Sequence, residues 1–255
     1  MMLTVLKHYD TCEQHASDFS KRTSTFEKLV GKMIDIVEPI LFSHLIRPVS
    51  MKERRDRQMV FKYYPHALYA TDRYFSGKHW QYGFKLECAV AYPGVAVHVS
   101  KHYPGSVHDT TIVLENLATH RKLLAKTDED GAVADYRELA LEYPDQHIML
   151  VDKRYVGAPN HMRCIHPKKG SAATLSREDV ALNQRISSDR VIVENYFGRV
   201  CSLWKVLAAT YKWQEDRYDQ VSRLCFALRI FTSSFGPCVS KTRPITNKFC
   251  LAMQA

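Results

Sequence analysis

Between residues 80 and 99 the apolar positions recur every second residue, and this limits the open folds more than any other feature. Trp80, Tyr82, Phe84, Leu86, Cys88 and Val90 share one side, Pro93-Gly94 makes a turn, and Val95, Val97 and Val99 alternate again. A period of two belongs to a strand with one buried face, so the turn closes an antiparallel hairpin. Two further apolar runs read as strands on either side of it: HALYATD, residues 66–72, and QHIMLVDKRY, residues 146–155. Between the hairpin and the last run, SVHDTTIVLENLATHRKLLAK has helical periodicity and is entered through Pro104-Gly105-Ser106. The order strand, strand, strand, helix, strand predicts three antiparallel strands joined through a helix to a fourth. That is an α/β mixed sheet covered by helices.

The flanking segments are helical. Residues 24–46 open with Ser24 and Glu27 at capping-box spacing, and Leu29, Met33, Val37, Ile40 and Leu41 follow on one face. Pro39 is expected to kink or split this helix. RPVSMKERRDRQMVFKYYP, bounded by Pro48 and Pro65, is polar and basic and reads as a linker. Residues 158–185 read as irregular loop. In the following segment Val193, Phe197, Val200, Trp204 and Leu207 form a helical stripe, and a last helix near 216–233 buries Val221, Leu224, Leu228 and Phe231. The expected division is therefore a helical N-terminal segment with linker over 1–64, the sheet domain over 65–235, and a tail over 236–255.

Charge narrows the partners. The net charge is +9 at pH 7, an excess that favours polyanions, nucleic acid first. No apolar run reaches the roughly 18–20 residues that span a bilayer. The seven cysteines form no CxxC pair and their count is odd, which reads as reduced thiols in an intracellular compartment.

The acids carry the chemistry. Asp72 and Asp152 each end an apolar, strand-forming run. An aspartate there is ordinarily a turn or cap residue. If the first and fourth strands are neighbours, however, the two emerge side by side and repel unless a proton or a cation intervenes. Hard oxygen ligands with room for water and phosphate suit Mg²⁺ or Mn²⁺. Glu194, on the border of the helical stripe, is the third carboxylate such a site needs. Three carboxylates holding two ions suit in-line attack on a phosphodiester. Arg190, one turn before Glu194, is placed to pair with it or with a phosphate. Gly198 is read as removing a side chain where DNA or the sheet must come close. Tyr155 is a candidate for stacking on a base, while Trp204 and Trp213 are read as packing residues.

Four blocks in order, YATD, YPGSVHDTTI, LVDKRYVG and DRVIVENYFGRV, resemble those of DDE transposases of the Harbinger type and the nucleases derived from them. The resemblance covers about residues 66–233. It rests on Asp72; on Gly105, Ser106, His108 and Asp109; on Asp152 through Tyr155; and on Arg190, Glu194, Phe197 and Gly198. Arg154 departs from the pattern, standing where the family has glycine. The resemblance implies an RNase H-like fold, the catalytic and metal-binding triad Asp72, Asp152 and Glu194, and cleavage of DNA with two Mg²⁺ or Mn²⁺ ions. His108, Asp109 and Arg190 would support the triad. Lys153, Arg154, Lys168, Lys169, Arg185 and Arg199 are the candidates for contact with the DNA backbone. A DNA substrate implies a nuclear protein. Residues 1–64 are short for the family's DNA-reading domain, which leaves room for a separate DNA-binding partner protein or a homodimer. The alternative reading is a transposase-derived module that keeps the fold and basic face but has lost catalysis.

Overall fold

The computed structural model describes residues 1–75, 83–131, 135–170 and 174–234. The described residues form two compact units: 1–47, 83 and 195–234 make one, and 48–75, 84–131, 135–170 and 174–194 the other. The expected strand positions Trp80 and Tyr82 and the tail 236–255 lie outside the described residues.

The second unit is built on one sheet. Its strands are β1 (Ala67–Phe75), β2 (Phe84–Ala91), β3 (Val95–Val99), β4 (Tyr103–Pro104), β5 (Ile148–Leu150) and β6 (Cys164–Ile165), in the order β3-β2-β1-β5-β6, with β4 also on β2. β1, β2 and β3 pair antiparallel, as alternation and turn predict. β5 then adds to β1 in parallel, and β6 to β5 in parallel. This is the RNase H-like mixed sheet, three antiparallel strands with a parallel continuation, flanked by helices. β6 falls in the stretch expected to be loop. Two residues carry no period of their own, so only pairing with β5 identifies the strand.

One hydrophobic cluster spans the sheet and the elements around it. Leu68, Tyr69, Ala89, Ala91, Val97, Met149 and Val151 from the sheet region pack with Val113, Leu124, Tyr155 and Met162. The helices here are α4 (Met51–Asp56), α5 (Asp109–Glu115), α6 (Leu117–Leu124) and α7 (Asp128–Gly131). The expected single helix over 106–126 is two, meeting at Asn116. The Asn116 side-chain amide donates to the Glu87 Oε2 at 3.0 Å. α4 lies in the stretch read as linker: the Ser50 hydroxyl caps it by accepting from the Glu53 N–H, and Met51 is buried. Tyr155 is also core, which removes it as a base-stacking residue.

The first unit is helical. It contains α1 (Met2–His8), α2 (Cys12–Asp18) and α3 (Thr23–Leu45). α3 starts with no side-chain cap, and Pro39 lies inside it without ending it. It packs along α10 (Tyr218–Ser234), with Arg223 paired to Glu38 at 2.7 Å and Arg217 to Asp35. These contacts lie within a turn of the proline and hold the helix where it lacks a backbone bond. α8 (Arg177–Leu203) is one helix, beginning ten residues before the expected start at Ser187, and the division between the units falls within it, after Glu194. It ends before Trp204, which caps the short α9 (Lys205–Ala208). Among the described residues, a Cβ at Gly198 would meet nothing within 4 Å beyond its own helix backbone.

Candidate active site

Strand register places the aspartates. Ala70 of β1 pairs with Leu150 of β5 in parallel, and Asp72 and Asp152 each follow two residues later. Equal offsets on neighbouring parallel strands bring both carboxylates to one edge of the sheet. Asp152 lies just past β5, as expected, but Asp72 does not end its strand. β1 continues to Phe75 because β2 still pairs with it there, after β5 has left the other side. Asp72 therefore sits on a rigid strand, with one flank paired and the other open. The Asp72 Oδ1 accepts from the Arg73 backbone N–H at 2.8 Å, and the Asp152 Oδ1 from the Lys153 N–H at 2.8 Å.

α8 brings the third acid and a cation. Asp189 is buried and its Oδ2 accepts the backbone N–H groups of Tyr63 and Tyr64, each at 2.9 Å. This fixes α8 against the turn that precedes β1. The next residue, Arg190, then reaches the aspartates: its Nη2 donates to the Asp72 Oδ2 at 2.7 Å and its Nη1 lies 3.6 Å from the Asp152 Oδ1. The Arg190 side chain is only 7% exposed, and its Nε has no hydrogen-bond partner. The sequence suggested Glu194 or phosphate as its partner, whereas both aspartates hold it. Glu194, one turn on, is exposed.

Electrostatics mark Asp72 as the strained member. Burial pushes its carboxyl up to about 7; the Arg190 guanidinium opposes this, while Asp152 and Glu194 add repulsion. Glu194 thus acts on Asp72 through its field. Among the described residues, no three His, Cys, Asp or Glu side chains stand close enough to hold a metal ion.

Basic residues surround the pair. A cavity of ≈ 580 Å³ beside Asp152 is lined by Lys153, Arg154, Lys168, Lys169 and Arg190. The Arg154 Nε lies 3.8 Å from the Asp152 Oδ2, and Lys168 is paired with Asp179 at 2.5 Å. Arg185 is exposed on α8, and Arg199 belongs to the other compact unit. Asp109, buried at the start of α5, pairs with Arg73 and lies 3.5 Å from the Lys85 Nζ. His108 is exposed and caps α5 without a side-chain hydrogen bond. A second cavity, of ≈ 470 Å³, is lined by Arg73, Lys85, His108, Arg154 and Lys169. Sequence reading passed over Arg73 and Asp189. Arg73 adjoins Asp72, but Asp189 gives no signal until the turn it caps is placed.

The chain matches the family described as DDE superfamily endonuclease over residues 59–229, well over half of its 255 residues. Neither a curated protein nor a solved structure matches it. Enzymes of this family typically use divalent metals and act on DNA. The matched stretch takes in the whole mixed sheet and both aspartates, and on that extent the chain belongs to the DDE superfamily endonucleases.

Proposed function

We propose that the protein is a transposase-derived, Harbinger-type DNA endonuclease in which Asp72, Asp152 and Glu194 hold two Mg²⁺ or Mn²⁺ ions. The observation that carries this reading is that two aspartates on neighbouring strands already share one cationic group, 2.7 and 3.6 Å away. Their oxygens converge on a single positive charge, and hard carboxylate donors suit a hard divalent ion. Asp72 fits the reading further: burial, with repulsion from Asp152 and Glu194, pushes its carboxyl up to about 7 against the Arg190 guanidinium, and a divalent ion would offset that cost of ionisation. Glu194, exposed one turn along α8 from Arg190, would complete the set.

Bound there, divalent ions would supply the acidity that activates a water or 3′-hydroxyl and the charge that stabilises the leaving oxygen. The chain's own residues do the positioning. β1 and β5 hold the two aspartates at one sheet edge. Lys153, Arg154 and Lys169 neutralise backbone phosphates in the adjoining cavity. Asp109 keeps Arg73 and Lys85 together beside it.

The test is nicking of supercoiled plasmid in Mg²⁺ or Mn²⁺. Wild type is expected to nick, and Asp152→Asn and Glu194→Gln to lose activity by at least about 10²-fold. Equal nicking by wild type and Asp152→Asn refutes the site. One observation favours a second reading, a DNA-binding module without catalysis: a guanidinium lies between the two aspartates. Salt-sensitive DNA binding with no cleavage in any metal would decide for it. Either reading places the protein in the nucleus with DNA as partner, alone, as a homodimer or beside a separate DNA-reading protein.

A further inference from the structure

We propose that Arg190 is a built-in counter-ion that competes with divalent metal for Asp72 and Asp152 and passes to a DNA phosphate when the metal binds. The inference rests on the metal-site reading above and adds to it a means of coupling metal binding to substrate binding. Arg190 holds the Asp72 Oδ2 at 2.7 Å and approaches the Asp152 Oδ1 at 3.6 Å. A divalent ion held by Asp72 and Asp152 would draw on the carboxylates that the guanidinium now occupies, and two cations there would repel. Arg190 and the metal therefore exclude each other.

The guanidinium has somewhere to go. Arg190 also lines the ≈ 580 Å³ cavity with Lys153, Arg154, Lys168 and Lys169. A phosphate entering that cavity meets donors already facing it, and a guanidinium suits phosphate by its fork of N–H groups. The Nε, buried and without a partner, is a donor that the aspartates do not use. Asp189 holds the backbone of this turn of α8 by its bonds to Tyr63 and Tyr64, so the proposed exchange is one of the Arg190 side chain. Phosphate that draws Arg190 away opens the aspartates to metal, and metal that displaces Arg190 frees it for phosphate. Linkage makes the two effects equal in size.

The test measures Mn²⁺ binding by electron paramagnetic resonance, with and without a short DNA duplex. Arg190→Met is expected to bind Mn²⁺ roughly tenfold or more tightly than wild type, the scale of a lost charge-assisted bond. Arg154→Met controls for charge alone: it also removes a cation near Asp152, but one that is 57% exposed and does not bridge. Its affinity is expected to change less than about threefold. The duplex should tighten Mn²⁺ binding by wild type and not by Arg190→Met. Arg190→Lys, which keeps a charge but cannot span both carboxylates, should fall between wild type and Arg190→Met. If Arg190→Met does not fold by circular dichroism, tighter binding by Arg190→Lys carries the test.

The outcomes separate the two ideas. Mn²⁺ binding by wild type that Asp152→Asn abolishes, with no gain in either Arg190 variant, overturns the competition and leaves the metal site standing. A gain in Arg190→Met matched by Arg154→Met also overturns it, since charge alone then suffices. A duplex effect that survives in Arg190→Met overturns the transfer to phosphate. If neither wild type nor the Arg190 variants bind Mn²⁺, the metal site itself fails.

Discussion

Replacing Asp72 by Asn should stabilise the protein at neutral pH, although Asp72 is proposed as a metal ligand. Its carboxyl is raised from 3.8 to about 7, chiefly by burial, with Arg190 opposing and Asp152 and Glu194 reinforcing the shift. Below pH 3.8 Asp72 is protonated in both folded and unfolded chains and contributes nothing to the pH dependence. Between 3.8 and about 7 the unfolded chain ionises before the folded one, so stability falls as pH rises. Above about 7 the full penalty stands, about 4 kcal/mol at 1.36 kcal/mol per pH unit. Some water reaches the side chain, which is 19% exposed, so the expected gain from Asp72→Asn at pH 8 is about 2–4 kcal/mol. Asn has the shape of the neutral carboxyl, and its oxygen can still accept from Arg190. The assay is urea denaturation in EDTA across pH 4 to 8, comparing the two proteins at each pH so that other titrating groups largely cancel. The gain should shrink toward zero as pH approaches 4. Saturating Mn²⁺ should stabilise wild type more than the variant. A variant no more stable than wild type at pH 8, or a gain independent of pH, refutes the claim that Asp72 is ionised against its surroundings.

Two further predictions test the frame around the site. Asp189→Ala leaves the backbone N–H groups of Tyr63 and Tyr64 without their acceptor, and should cost roughly 2–4 kcal/mol in urea denaturation; a loss below about 0.5 kcal/mol would show that water replaces the carboxylate. His98 is pushed down to about 4, by burial first and then by His120, against the pull of Glu87. It stays neutral in the folded chain while the unfolded chain takes up a proton, so stability should fall as pH drops from 6.5 toward 4. Its share is roughly 2–3 kcal/mol. His98→Asn should flatten that slope, and an unchanged slope would place the acid sensitivity elsewhere.

The parts that could be read in the sequence are those that repeat. Leu86, Cys88 and Val90 alternate along β2 as Val95, Val97 and Val99 do along β3, and the hairpin follows from that period, but Leu86 through Ala91 are buried on both faces, not on one as the period implied. The aspartates could be read for a related reason: each follows an apolar run short enough to be a buried strand. Whether those strands were neighbours could not be read, since parallel pairing leaves no mark on either one. β6 was missed because two residues have no period, and nothing local in the sequence marks Asn116, whose side chain bonds Glu87, 29 residues away in the chain. The early start of α8 was missed because residues 177–186 are mixed and polar, with Ile186 alone fully buried among them. Arg190 was found, but its partner was not. Spacing on a helix offers Glu194, and only the fold offers Asp72, 118 residues earlier.

Two adjacent residues on α8 show how the site is both held and kept unrelieved. Asp189 spends its charge on backbone N–H groups and fixes the helix; Arg190 spends its charge on the two sheet carboxylates. Burial pushes Asp72 up to about 7 against the guanidinium beside it, and the Arg190 Nε has no hydrogen-bond partner. The pair therefore leaves one carboxylate costly to ionise and one donor unused. Incompletely paired charges at a sheet edge, next to a basic cavity, are what a site needs if it is to exchange one cation for another and not simply be stable.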